Sequence, residues 1–372
     1  MEKNNKTLNV PPLRFPEFSG EWEKCTISDF GNVITGNTPP TAEDENYDKG
    51  THLWASPADL GTTKYIESTQ TLLSDRGFEK SRSFPANSIL VTCIGSTIGK
   101  MGMSKTEMAS NQQINTIVPV QHDANFVYYA VQSRFPRYLS SIAVQAVPIL
   151  SKSSFEKLTN YTTARKEQIK IGNLLSLIDE RIDTQKKIIE KYESLIRGLC
   201  EKLTRQGTPN KIIAECLKCH STSLQESAVL DAGSYPVYGA IGICGYTDTP
   251  DVSGDGILII KDGASVGVTY FADGCYSSIG TLNRLTAKQG INLRYVYYCL
   301  KVMNFAPYKT GLAIPHIYFK DYGKHKIWCP SFEQQSRIAD ALTSIDNKMH
   351  VEKSLLEQLN SQKRYVLKQL FI

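Results

Sequence analysis

The stretch Glu167–Asp179, EQIKIGNLLSLID, returns as QQSRIADALTSID at Gln334–Asp346. Its Gln, Ile, Leu, Ile and Asp positions match at a constant shift of 167 residues. Upstream, Phe126-Val127-Tyr128-Tyr129 matches Tyr295-Val296-Tyr297-Tyr298 at a shift of 169, and Pro148 matches Pro315 at 167. Further upstream, Asn87-Ser88-Ile89-Leu90-Val91 with Gly95 and Gly99 matches Asp255-Gly256-Ile257-Leu258-Ile259 with Gly263 and Gly267, at 168. Four blocks in one order at nearly constant spacing mark an internal duplication. The copies match poorly between the blocks, so the scaffold is shared and the decoration differs. Each copy is a globular segment followed by a helix. The chain therefore divides into 1–165, 166–206, 207–333 and 334–372, with Gln206-Gly207-Thr208-Pro209 as a helix stop and turn.

Alternating steps of four and three from Ile171 reach Leu175, Ile178, Ile182, Gln185, Ile189, Tyr192, Ile196, Leu199 and Leu203. The same steps from Ile338 reach Leu342, Ile345, Met349, Glu352, Leu356, Leu359, Lys363, Val366 and Leu370. Such spacing draws a narrow apolar stripe, the seam of a coiled coil. Two stripes in one chain can satisfy each other. Gln185 and Glu352 share one seam position, where a polar residue fixes register at some cost in stability. Lys363 breaks the second stripe, which predicts fraying of the last turns or contact with a partner there. From Glu167 to Leu203 the helix would be about 55 Å long. Its seven acidic and seven basic residues suit a solvated coat or a docking surface.

The globular segments read as short strands punctuated by Gly, Pro and Asn. Candidate strands are 88–94, 114–120, 256–261 and 266–271. Helices are expected from Asp123 through Gln132 and from Asn292 through Met303, each opening on a good N-cap residue. Strand and helix do not alternate regularly, so the fold class is α+β.

Composition sets the outer limits. The chain has 372 residues, 41% hydrophobic and 21% charged, which is globular. Forty-two Lys and Arg against 37 Asp and Glu leave a net charge of +5, which permits a nucleic-acid partner without demanding one. The longest aliphatic run, Ile257–Ile260, is far short of the ~20 residues that cross a bilayer. Met1–Val10 is polar and does not read as a secretory signal. Nine cysteines, an odd number, read as reduced thiols of a cytoplasmic protein.

No catalytic constellation emerges. Cys216-Leu217-Lys218-Cys219-His220 spells the haem-attachment string, but that chemistry belongs to exported proteins, and a zinc site lacks two further ligands. No cofactor and no metal are expected. Gly95-Ser96-Thr97-Ile98-Gly99-Lys100 has three residues between its glycines where a phosphate-binding loop needs four, and Met101 stands where Ser or Thr would hold Mg²⁺. The second copy has Val268 in place of Lys100, so the loop reads as a tight turn presenting a variable side chain. Asn37-Thr38-Pro39-Pro40 departs from the adenine-methyltransferase motif by its Thr and its missing aromatic. Six scattered histidines pair with no second ligand.

Basic residues gather in loops. Arg76, Lys80 and Arg82 share one polar stretch, and Lys100 and Lys105 surround the glycine turn. In the second copy Lys261, Arg284, Lys309 and Lys320 follow the same course, with Tyr318 interleaved. Arg and Lys neutralise phosphates and read guanine, while Asn and Gln read adenine, so Asn111 and Gln112 join the candidate DNA contacts. For each of these residues a plain solvated surface charge or amide is the competing reading.

The chain resembles the specificity subunit of Type I restriction–modification enzymes. The resemblance is carried by Pro12-Leu13-Arg14-Phe15-Pro16-Glu17-Phe18 with Glu21-Trp22-Glu23, by Gly233-Ser234-Tyr235-Pro236-Val237-Tyr238-Gly239, and by the Glu-Gln-x-x-Ile block that opens each long helix. It implies two similar mixed α/β target-recognition domains, separated by two helical spacers that pack as an antiparallel coiled coil with a pseudo-twofold repeat. It implies no enzymatic activity, a split asymmetric target in double-stranded DNA, and docking of two methyltransferase subunits and then restriction motor subunits. Gln334 departs from the Glu usual in the family block. A coiled-coil adaptor that binds only proteins is the alternative. A self-contained DNA enzyme is disfavoured by the missing motifs.

Overall fold

The computed structural model describes residues 9–141, 148–222, 224–311 and 313–372. Most of the polar opening stretch Met1–Val10 lies outside the described residues. The chain forms two compact units, residues 1–186 with 355–372 and residues 187–354. Both long helices, Arg165–Thr204 and Phe332–Leu370, contribute to both units.

The first unit holds a five-stranded sheet in the order Gly31–Thr35, Ile114–Pro119, Ile89–Thr92, Met101–Ser104, Tyr65–Ile66. A second, four-stranded sheet is built on His52–Ala55, which pairs in parallel with Met108–Ser110. The helix Ala124–Ser141 covers the first sheet through Phe126, Val127 and Val131, all at 0% exposure. It starts at the expected cap, where the Phe126 amide donates to Asp123 Oδ1 at 2.9 Å. It continues well past Gln132 and through Pro136, because buried Phe135 and Tyr138 extend its apolar face. Proline is unfavourable inside a helix in isolation, and here tertiary burial overrides it.

In the second unit a four-stranded sheet runs Leu217–Ser221, Leu282–Ala287, Gly256–Ile260, Thr269–Ala272, the order of the first sheet without a counterpart of its edge strand Tyr65–Ile66. Its other four-stranded sheet repeats the parallel pair, Tyr235–Gly239 with Cys275–Ser278. The helix Leu293–Lys301 is capped by Asn292, whose side chain accepts from the Tyr295 amide. The α+β class and the duplication are therefore as expected, and strands replace 88–94, 114–120 and 256–261 with slightly tighter bounds. The last strand begins only at Thr269, because Val266–Val268 still belong to the glycine turn.

That turn is duplicated bond for bond. Gly99 donates to the Thr92 carbonyl at 2.9 Å, and Gly267 to Ile260 at 2.9 Å. Gly95 donates to Pro148 at 3.0 Å, and Gly263 to Pro315 at 2.9 Å. Gly95, Gly99, Gly263 and Gly267 have φ of 98°, 92°, 100° and 92°, a region that side-chain-bearing residues avoid. A β-carbon on Gly99 would lie 2.7 Å from the Phe135 ring, and one on Gly267 would lie 2.9 Å from Phe305.

Within the first unit the start of the first long helix packs on the end of the second. Ile171 and Leu175 share a core with Leu370 and Phe371, and further along, Asp179 pairs with Lys363 at 2.6 Å. The two helix segments run antiparallel there. In the second unit the end of the first helix, with Ile196 and Cys200, packs with Ile338, Leu342 and Met349 from the start of the second. Ile171, Leu175, Ile182, Ile189, Ile338, Leu342 and Met349 are buried, while Ile178, Ile345 and Leu356 are half-buried. The second helix holds to Leu370, contrary to the expected fraying, because Asp179 neutralises Lys363 within the seam.

Alanine at Gly99 or Gly267 combines a disfavoured φ with a clash, so each is expected to cost about 1–3 kcal/mol, read as a lowered urea midpoint. Gly274→Ala, at φ 71° with open space around it, should cost less. Equal midpoints for Gly99→Ala and the unaltered chain would contradict the steric part.

Candidate nucleic-acid interface

The blocks shared by the two copies act as latches between each globular part and its helix. Gln168, 3% exposed, accepts the Asp123 amide at 3.0 Å and donates to the Thr163 carbonyl at 2.7 Å. Gln335, 1% exposed, accepts the Asn292 amide at 2.9 Å and donates to Pro330 at 2.8 Å. One carboxamide thus ties the capping residue of the neighbouring helix to the start of the long one. Below it, Tyr129 donates to Asp179 at 2.6 Å, and Tyr298 donates to Asp346 at 3.3 Å. Each buried carboxylate also has a lysine, Lys363 for Asp179 and Lys301 at 3.1 Å for Asp346. Buried charge persists only when paired and hydrogen-bonded.

The opening motif works in the first unit. Arg14 grips Glu167 with two 2.8 Å hydrogen bonds, and Trp22 packs on Phe126 and Phe371. Leu13 donates to the Gln369 carbonyl at 3.0 Å. Glu167 is 1% exposed, so its charge requires this arginine. Gln334, at the matching position, is exposed and uncharged. A solvated side chain there needs no counter-ion, so no counterpart of Arg14 is required.

The candidate DNA contacts fall into three groups. Arg76 and Lys80 pair with Glu45 and Glu43, and Lys105 pairs with Glu67. Such exposed pairs contribute little and exchange readily for a phosphate. Arg82 donates to the Thr35 carbonyl at 3.1 Å, and Gln112 accepts from Thr38 at 2.6 Å. Asn111 is 7% exposed, with its carboxamide turned to Gln113, so it shapes its loop from within. Lys100 is exposed on the glycine turn, its stem lying over Gly61. In the second unit Lys261 sits 3.5 Å from Asp262, which also holds His316 at 2.7 Å and straps the Thr310–His316 loop to the turn. Lys309 and Lys320 are exposed, Lys320 lies over the ring of half-exposed Tyr318, and Arg284 is half-buried on its strand.

Cys216 is buried in the second core, and His220 bonds Thr286 at 2.9 Å. Among the described residues no group of three or more His, Cys, Asp or Glu is placed to hold a metal, and no helix is long and apolar enough to cross a membrane.

Sequence reasoning missed Lys64. It is 5% exposed, donates to Asn125 and Ser176 at 2.6 and 2.7 Å, and lies 4.6 Å from the Tyr129 ring centre. It belongs to no repeated block and no basic run, so nothing in the sequence marked it. The Ile-Asp pair of each seam was a visible signal for Asp179 and Asp346.

A sequence profile of the Type I restriction modification DNA specificity domain matches residues 19–194 and 213–361. The chain belongs to that family. It is similar to the Type I restriction enzyme HindI specificity subunit of Haemophilus influenzae, 30% identical over 52% of this chain and 39% of that relative's length. The MjaVIII specificity subunit of Methanocaldococcus jannaschii is 23% identical over 98% of this chain and 94% of its own. In fold the chain is similar to the crystal structure of the Type I restriction–modification S subunit from M. genitalium, with a TM-score of 0.70, 21% identity, and coverage of 98% and 99%.

Burial lowers the Lys64 pKa to about 8. Between there and the ordinary value near 10.5 the unfolded chain binds the additional proton, so the lysine's cost to stability is full below about pH 8 and fades as pH rises. The unfolding free energy of the unaltered chain minus that of Lys64→Met should therefore climb from pH 8 to 10. A flat difference would contradict the buried charge.

Proposed function

We propose that this chain is the DNA specificity subunit of a Type I restriction–modification complex. On this reading residues 1–165 and 207–333 are target-recognition domains, each reading one half of a split, asymmetric sequence. Residues 166–206 and 334–372 form the coiled coil that sets the spacing. Partners supply catalysis: two methyltransferase subunits, and then restriction motor subunits. The observation that carries the reading is the duplicated frame with dissimilar loops. Hydrogen bonds of the turn, latch and Tyr–Asp contact repeat, whereas Lys100 and the Asp262–His316 ion pair do not, Val268, Ile94 and Ile149 standing at the matching positions. A shared frame holds two readers alike, and unlike loops make them read different bases. Half-sites would lie roughly one helical turn apart, near 34–36 Å. A net charge of +5 suffices if partners share the phosphate neutralisation. The protein-only adaptor lacks a comparable support.

The test is sequence-selective binding by the assembled complex across a salt series. Affinity for target should fall with salt while preference over random DNA persists. Salt-insensitive or unselective binding would favour the adaptor.

Lys100→Ala should change base preference in one half of the target, worth about 1–3 kcal/mol per contacted base pair. An equal loss on every sequence would make it a phosphate contact. Ile182→Lys or Met349→Lys places a charge in the buried seam and should weaken either the fixed gap or partner assembly. Unchanged gap and unchanged assembly would remove the seam from the account.

A further inference from the structure

Each unit contains a cleft beside its long helices. The first is about 500 Å³ and the second about 400 Å³. Their linings correspond under the duplication. Tyr128, Asp179 and Lys186 of the first occupy the positions of Tyr297, Asp346 and Lys353 of the second, at shifts of 167 to 169 residues. These three side chains are identical in both copies, although Lys186 and Lys353 belong to none of the four blocks that define the repeat.

The neighbours differ, yet they compensate. In the first cleft Lys363 of the second long helix pairs with the aspartate; its counterpart in the second cleft is Ile196. There the counter-ion is Lys301, whose counterpart in the first cleft is Gln132. The lysine has changed helix while the ion pair has stayed. Cations outnumber carboxylates in both linings even with Lys100 left to the loop side: Lys64, Lys186 and Lys363 against Asp179 and Asp183, then Arg197, Lys301 and Lys353 against Glu193 and Asp346.

We propose that the two clefts are matched receptor sites, each taking the same acidic segment from a partner protein present in two copies. This rests on the docking of two methyltransferase subunits proposed above. The retained Lys186 and Lys353 supply the ammonium for an incoming carboxylate, which exchanges with Asp183 in one cleft and Glu193 in the other. Exposed pairs of this kind are weak enough to be displaced. A protein occupant is favoured over a DNA strand because the sites are concave and the cations that both share, Lys186 and Lys353, stand on the long helices and not on the variable loops. A charged partner surface is steered to such sites and held by them.

The full chain is assembled with its methyltransferase subunit, and bound copies are counted by native mass spectrometry. Lys186→Glu and Lys353→Glu should each remove one of two copies, and the double variant both, while Lys186→Arg keeps two. Circular dichroism and thermal melting check that the fold survives; where a reversal unfolds the chain, Lys186→Ala and Lys353→Ala carry the test, with weakened binding of one copy each. Two copies retained by a folded double variant would overturn the proposal. So would unchanged stoichiometry with a shallower salt dependence of DNA binding, which would make the clefts phosphate seats. If the unaltered chain binds no methyltransferase subunit, the docking reading itself fails and takes this assignment with it.

Discussion

Two buried carboxamides, Gln168 and Gln335, hold the rest of the structure in place. Each sits in the first turn of a long helix, beside an amide and a carbonyl outside it that the side chain satisfies. Each reaches the capping residue of the neighbouring helix and a carbonyl of its own approach segment. In low dielectric an unmade hydrogen bond is costly, so the geometry has little freedom. The buried Tyr–Asp contacts a few turns on repeat the constraint. These contacts fix each globular part to its long helix.

The economy of the duplication lies in what it leaves alone. Strand order, turn hydrogen bonds, helix caps and the carboxylate–tyrosine pairs recur, while loop lengths and exposed side chains diverge. Changes at the frame are matched by changes nearby, as with the counter-ion of the buried aspartate, supplied by Lys363 in one unit and Lys301 in the other. The glycine turn shows the division at its smallest scale. Its two glycines keep one backbone path, and the next residue is Lys100 in one copy and Val268 in the other.

The fold was legible because periodicity and repetition report backbone constraints directly. The Glu-Gln-x-x-Ile blocks, the seam from Ile171 and from Ile338, and the caps Asp123 and Asn292 all express local rules. The interface was less legible. Asn111 has the composition of a base reader, but its loop turns it inward; Arg76 and Lys80 look like free cations, but acidic residues distant in sequence meet them. Lys64 could not be found at all, since burial of a lone lysine depends on Asn125, Ser176 and Tyr129 arriving from elsewhere. Lys363 misled for the same reason, its partner lying on the other long helix.

Mapping methylated bases in DNA modified by the assembled complex tests the central claim most directly. Two short, dissimilar blocks separated by a fixed gap of unread base pairs are predicted. One continuous block, or two identical inverted halves, would contradict a duplicated frame carrying two different readers.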